Sequence, residues 1–129
     1  MRYSKLNVLK ALKSWEDSVI SSGMMYKKCQ RDQVDANRYD LGSVDIGILL
    51  AVGSLILDIE ACPKLSKRQF LDMIYVKREI IITLPVNEYL FTEHTGYNQI
   101  KDKSSKQCEA YGKFVFYTSL IRSIFSEYF

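Results

Sequence analysis

The chain has 129 residues, 47% hydrophobic and 26% charged, with a formal net charge of +3. This is the size and balance of one folded domain with a single core. The mild positive charge permits nucleic-acid contact without implying it, because a dedicated binder carries a stronger basic bias.

Residues 4–22 predict the first helix. Ser4 can cap it, Val8, Leu12, Trp15 and Val19 fall on one apolar stripe, and Gly23 offers a stop. Trp15 is expected in the core. Residues 24–42 are a polar interlude with Lys27, Lys28, Arg31, Asp32, Asp35, Arg38 and Asp40. Their mixed signs predict an exposed helix or a long loop rather than core, and Asp40-Leu41-Gly42 predicts a turn.

The most apolar stretch follows. Residues 46–57 (IGILLAVGSLIL) carry no charge and lie between Asp45 and Asp58. Twelve residues fall short of the roughly 20 that a membrane span needs, but suffice for three turns of buried helix. With Ser43 as the expected cap and Pro63 as the stop, residues 44–61 are expected to form one helix, apolar nearly all round, at the centre of a bundle. Gly47, Ala51 and Ser54 form a stripe of small side chains along which a neighbour can approach. Close packing is the expected compensation for the helix-breaking tendency of Gly47 and Gly53, about 1 kcal/mol each.

After Pro63, Ser66 with Gln69 makes a capping box, and Leu65 with Phe70 a hydrophobic staple. A helix from Lys67 is expected, with Phe70, Ile74, Lys77 and Ile81 on one face. Its β-branched tail, Ile80-Ile81-Ile82-Thr83, predicts an end or a short extended piece before Pro85. Residues 86–95 fit a short helix ending at Gly96. Ser104 with Gln107 makes a second capping box and opens a last helix to about Tyr128. Tyr111, Phe114, Thr118, Ile121, Phe125 and Tyr128 form a seam at steps of three and four. Val115, Phe116, Tyr117, Leu120 and Phe129 lie off that seam. Seven of the sixteen aromatics fall in residues 111–129, more apolar surface than one core is expected to absorb. The whole chain, 1–129, is thus read as a single all-α domain, a bundle of about five helices around residues 44–61.

No reactive centre stands out. Cys29, Cys62 and Cys108 are odd in number and widely spaced, which predicts reduced thiols in a cytoplasmic setting rather than a disulfide framework. No basic region followed by an apolar core opens the chain, so no secretory signal is expected. The three cysteines with His94 could compose a zinc set, but no close ligand pair is present, and no metal or other cofactor is expected. A nucleophile would need His94, the sole histidine, oriented by a carboxylate such as Glu93, and nothing in the spacing arranges that. Neither an enzyme nor a small-molecule substrate is expected.

The basic residues suggest binding instead. Lys64, Lys67 and Arg68 gather at one helix start, and Lys101, Lys103 and Lys106 at another, where phosphate is favoured. The rival reading is a solvated face. Residues 86–106 also read as helix, turn at Thr95-Gly96-Tyr97, and helix, preceded by a helix carrying Tyr75 and followed by Ala110 and Phe114. That outline resembles the C-terminal organisation of phage late-gene antiterminators and sigma-region-4-like phage regulators. The resemblance implies a DNA-reading segment, with Tyr97, Asn98, Gln99, Lys101 and Lys103 as its contacts. Asp102 stands where such a motif places an apolar residue.

Two functions are therefore expected. One is a small helical regulator that binds nucleic acid or the transcription machinery. The other is a protein-binding inhibitor or adaptor, of the anti-defence or immunity type, that uses the C-terminal helix through Phe116, Tyr117, Leu120, Phe125 and Phe129; a homodimer through the same helix would use the same surface. Aromatics left exposed would favour the second, and aromatics buried within the monomer would weaken it.

Overall fold

A computed structural model describes residues 3–33, 35, 40–83 and 103–128. Five helices and no strand occur among them: α1 (Lys5–Ser22), α2 (Met24–Arg31), α3 (Leu41–Ala61), α4 (Lys67–Thr83) and α5 (Ser105–Tyr128). The fold is an all-α bundle. α3 packs on α5 and α1, and α4 packs on α5. The short helix expected at 86–95 lies outside the described residues.

The starts of α1, α3, α4 and α5 each have a local cause. Ser4 has extended backbone and its Oγ accepts from the Asn7 amide at 3.0 Å. Ser66 and Gln69 close their reciprocal box at 3.1 and 2.9 Å, and Ser104 and Gln107 close theirs at 3.2 and 3.1 Å. Gly23 ends α1 with φ 69°, a left-handed conformation in which its N–H reaches the Val19 carbonyl. α2 follows at once. It is less detached than its polarity predicts, since Cys29 is fully buried while Lys27, Gln30 and Arg31 stay exposed.

α3 begins earlier than expected. The Asp40 side chain, not Ser43, is the cap: it accepts from the Ser43 amide at 3.2 Å and from the Ser43 hydroxyl at 2.7 Å. Those bonds hold the Asp40 carboxyl below the ordinary carboxylate range. The expected turn at 40–42 is therefore the first turn of the helix, with Leu41 already buried. At 21 residues α3 is long and apolar enough to cross a membrane by length and composition, although 44% of that stretch is buried within the bundle. The twelve-residue run understated the helix.

The Asp40 carboxylate also accepts from Ser105 Oγ at 3.0 Å, which sets the start of α5 beside the start of α3. α1 runs the other way: Tyr3 Oη donates to the Leu65 carbonyl at 2.8 Å, Lys5 to the Cys62 carbonyl, and Lys13 pairs with Glu60 at 3.4 Å. α3 and α5 meet at Gly47 and Gly112. A Cβ on Gly47 would fall inside the carbonyl oxygen of Glu109, and one on Gly112 inside that of Val44. Each glycine thus turns a Cα hydrogen toward the other helix's backbone. The small-residue stripe is used at Gly47. Gly53 does not share this role, since a Cβ there would meet only Glu16 Oε2, at 4.0 Å.

α4 stays helical through Ile80-Ile81-Ile82 to Thr83. Burial of Phe70, Ile74 and Ile81 on one face outweighs the β-branched preference. The Thr83 hydroxyl bonds back to the Glu79 carbonyl at 3.0 Å. Lys77, half-buried at the edge of that face, pairs with Asp58 of α3 and reaches Ser54 Oγ at 3.4 Å.

Candidate functional site

The core absorbs α5 more completely than its seam predicts. On the seam, Tyr111, Phe114 and Ile121 are buried; off it, Phe116, Tyr117 and Leu120 are buried as well. The cause is that α5 lies against two helices, α3 and α4, rather than one. Trp15 adds an edge-on ring against Phe116, with centroids 5.0 Å apart, and Arg78 lies 5.1 Å from the Phe114 ring centre. Phe116, Tyr117 and Leu120 are therefore core residues and do not form an open interface. Phe129, and the side chain of Phe125, lie outside the described residues.

The open apolar surface is elsewhere. On α3, Ile46 is 50% exposed, Leu50 49% and Leu57 68%, while on α4 Val76 is 59% and Ile80 54% exposed. Leu50 and Ile80 line one shallow groove together with Ser54 and Lys77. Val76 and Ile80 line an adjoining one with Met73. Gly53, Ile56 and Leu57 line a third, bordered by Lys13, Glu16 and Asp17 of α1. A helix apolar all round needs neighbours on every side, and the described helices leave one side of α3 open. The periodicity of α3 held that signal, but only packing says which stripe remains uncovered.

The basic groups do not come together. α5 starts beside the start of α3, whereas α4 starts just after α3 ends. Lys64, Lys67 and Arg68 are therefore separated from Lys103 and Lys106 by the length of α3, about 30 Å. Arg68 pairs with Asp72 at 3.5 Å. Lys64, Lys103 and Lys106 are exposed. Tyr97, Asn98, Gln99, Lys101 and His94 lie outside the described residues.

None of the three cysteines, all among the described residues, is in a disulfide; Cys29 and Cys108 are buried and Cys62 is half-buried. Burial, and then the nearby Asp40 charge, push the Cys108 thiol up, away from the reactive thiolate. Among the described residues no group of three or more His, Cys, Asp or Glu side chains could hold a metal ion.

Tyr117 has a consequence for stability. Burial first, then the negative charge of Asp58, push its phenol up to about 12 from an ordinary 10.0. The unfolded chain therefore loses this proton before the folded one does. The stabilisation is fully present below pH 10.0 and is lost as pH rises through about 12. Tyr111, raised by burial, acts in the same direction. Tyr117→Phe is expected to move the alkaline unfolding midpoint upward when circular dichroism is followed against pH. An unchanged midpoint would assign alkaline unfolding to other groups.

Comparison with known proteins sets nothing beside this geometry: no family model matches the chain, and neither does any curated protein or solved structure.

Proposed function

We propose that this chain is a non-enzymatic protein-binding module whose recognition surface is the open apolar face of α3 and α4. One observation carries the reading: Leu50 of α3 and Ile80 of α4 line one groove, Val76 lines the adjoining one, and Ile46 and Leu57 lie one and two turns from Leu50 along α3, all about half exposed or more. Apolar surface so concentrated is what protein interfaces cover. Its rim is charged and of mixed sign, with Lys13, Glu16 and Asp17 on one side and Lys77 paired with Asp58 on the other. An inhibitor or adaptor of the anti-defence or immunity type works through such a face, and the buried thiols suit a cytoplasmic setting.

A second reading, a helical regulator that touches nucleic acid or the transcription machinery, is supported by the exposed Lys64, Lys103 and Lys106 at two helix starts. The distance between those starts weighs against a single phosphate-binding patch. One experiment separates the two. Tagged wild-type protein and a Leu57→Glu variant are used to capture partners from host extract, with and without nuclease. Partners lost with Leu57→Glu and indifferent to nuclease favour the apolar face. Retention that survives Leu57→Glu but falls steeply with salt favours nucleic acid.

A further inference from the structure

The groove that holds Leu50 and Ile80 is formed by three helices, and its lining divides by chemistry. Leu50 of α3 and Ile80 of α4 are its open apolar side chains, and Ala51 and Ile81 are its buried ones. The polar lining is Ser54, Lys77, Lys113 and Tyr117. Each of those four carries a hydrogen to donate, and among the described residues no carboxylate lines the groove. Lys77 is already satisfied, by Asp58 outside the groove and by Ser54 Oγ at 3.4 Å. Lys113 is not. It is half-buried and makes no ion pair among the described residues, although Glu109 stands one turn before it on α5. Tyr117 is 4% exposed, and its hydroxyl bonds to no described residue. Ser54 accepts from Lys77 and so keeps its own hydrogen free to donate.

Such a lining selects its occupant. A purely apolar partner would cover Lys113 without a counter-charge, and a basic one would add repulsion. A carboxylate flanked by aliphatic side chains suits both halves of the lining. The aliphatic groups replace water on Leu50 and Ile80, and the carboxylate accepts from Lys113, with the Tyr117 and Ser54 hydroxyls beside it. The groove measures about 200 Å³, less than the roughly 300–1,000 Å³ of small-molecule pockets. Open aliphatic surface also continues past it, to Ile46 and Leu57 on α3 and to Val76 on α4. A protein segment can cover that length, whereas a small molecule cannot. A nucleic-acid phosphate would match Lys113 but set a polar backbone against Leu50 and Ile80.

We propose that the groove between Leu50 and Ile80 receives an acidic, aliphatic segment of a partner protein, whose Asp or Glu carboxylate is held by Lys113. This rests on the reading of the α3–α4 face as a protein-binding surface and names the chemistry of its partner. The probe is a displayed library of randomised helical peptides, selected in parallel on the full wild-type chain, Lys113→Met and Leu50→Gln. Lys113→Met keeps the apolar stem and removes the charge. Leu50→Gln alters a side chain that is 49% exposed, and circular dichroism and melting curves are expected to stay in place for both variants. Wild type should enrich Asp or Glu flanked by Leu, Ile or Met. Lys113→Met should lose the acidic preference, and Leu50→Gln should lose the enrichment altogether. For one synthesised wild-type binder, exchanging its acid for the amide should weaken binding by about tenfold, and Lys113→Met should do the same. The two changes together should cost no more than either alone. Aliphatic peptides without an acid, or an acidic preference that survives Lys113→Met, would overturn the proposal and leave the binding face standing. So would displacement of the peptide by laurate or a duplex oligonucleotide, or a dimer or vesicle-bound chain that depends on Leu50. Enrichment indifferent to Leu50→Gln, or none at all, would overturn the binding face as well.

Discussion

Replacing Gly112 with alanine is expected to destabilise the protein by about 3 kcal/mol, and Gly47→Ala by a similar amount. An exposed helical glycine would gain about 1 kcal/mol from the same change, so both sign and size report the packing. At each site the new methyl would meet a backbone carbonyl, that of Val44 or of Glu109. A carbonyl within a helix cannot rotate away as a side chain can, so α3 and α5 must separate. Separation at one glycine makes room at the other, so the double variant should cost clearly less than the sum of the singles. The measurement is the urea midpoint at unchanged slope. Gly53→Ala, at low micromolar concentration, is the internal control and should raise the midpoint, because a Cβ there meets nothing closer than 4.0 Å. Equal effects at positions 47, 53 and 112 would contradict the α3–α5 contact.

Phe116→Ala is expected to cost about 4 kcal/mol, the range for removing a fully buried aromatic ring. Against a total stability on the order of 5–15 kcal/mol, the variant would be marginal at 37 °C. The cavity would open beside Trp15, the only tryptophan, whose ring stands edge-on to Phe116 at 70°. Trp15 emission should therefore shift to the red in the folded variant, and thermal unfolding followed by that emission should begin earlier. An unshifted spectrum with wild-type stability would place Phe116 outside the core. For the same reason, a polar residue at position 116 reports folding, whereas Leu57→Glu tests binding at an open site.

Much of the fold is legible along the chain because its signals are local. Ser66 with Gln69 and Ser104 with Gln107 name two helix starts, since a capping box closes within four residues and needs nothing distant. Gly23 and Pro63 mark two helix ends for the same reason. The all-α class, and the buried stripe Val8, Leu12 and Val19 of α1, follow from periodicity. Even the start of α3 was written locally, in Asp40 and Ser43, although Asp40-Leu41-Gly42 also spells a turn.

What the residues alone determined about this protein was therefore which segments are helical and which side chains are apolar. Which apolar side chains are covered was decided by tertiary structure. α5 is apolar beyond its seam, yet its described aromatics are buried, because α3 and α4 both lie against it and Gly112 lets α3 come close. α3 is apolar all round, yet Ile46, Leu50 and Leu57 remain open, because no described helix lies across that stripe. Lys64 and Lys106 head two similar helix starts, yet opposite helix directions carry them to opposite ends of the bundle. Periodicity records the angle of a side chain about its own axis, and contains no information about which sides of that axis another helix will occupy.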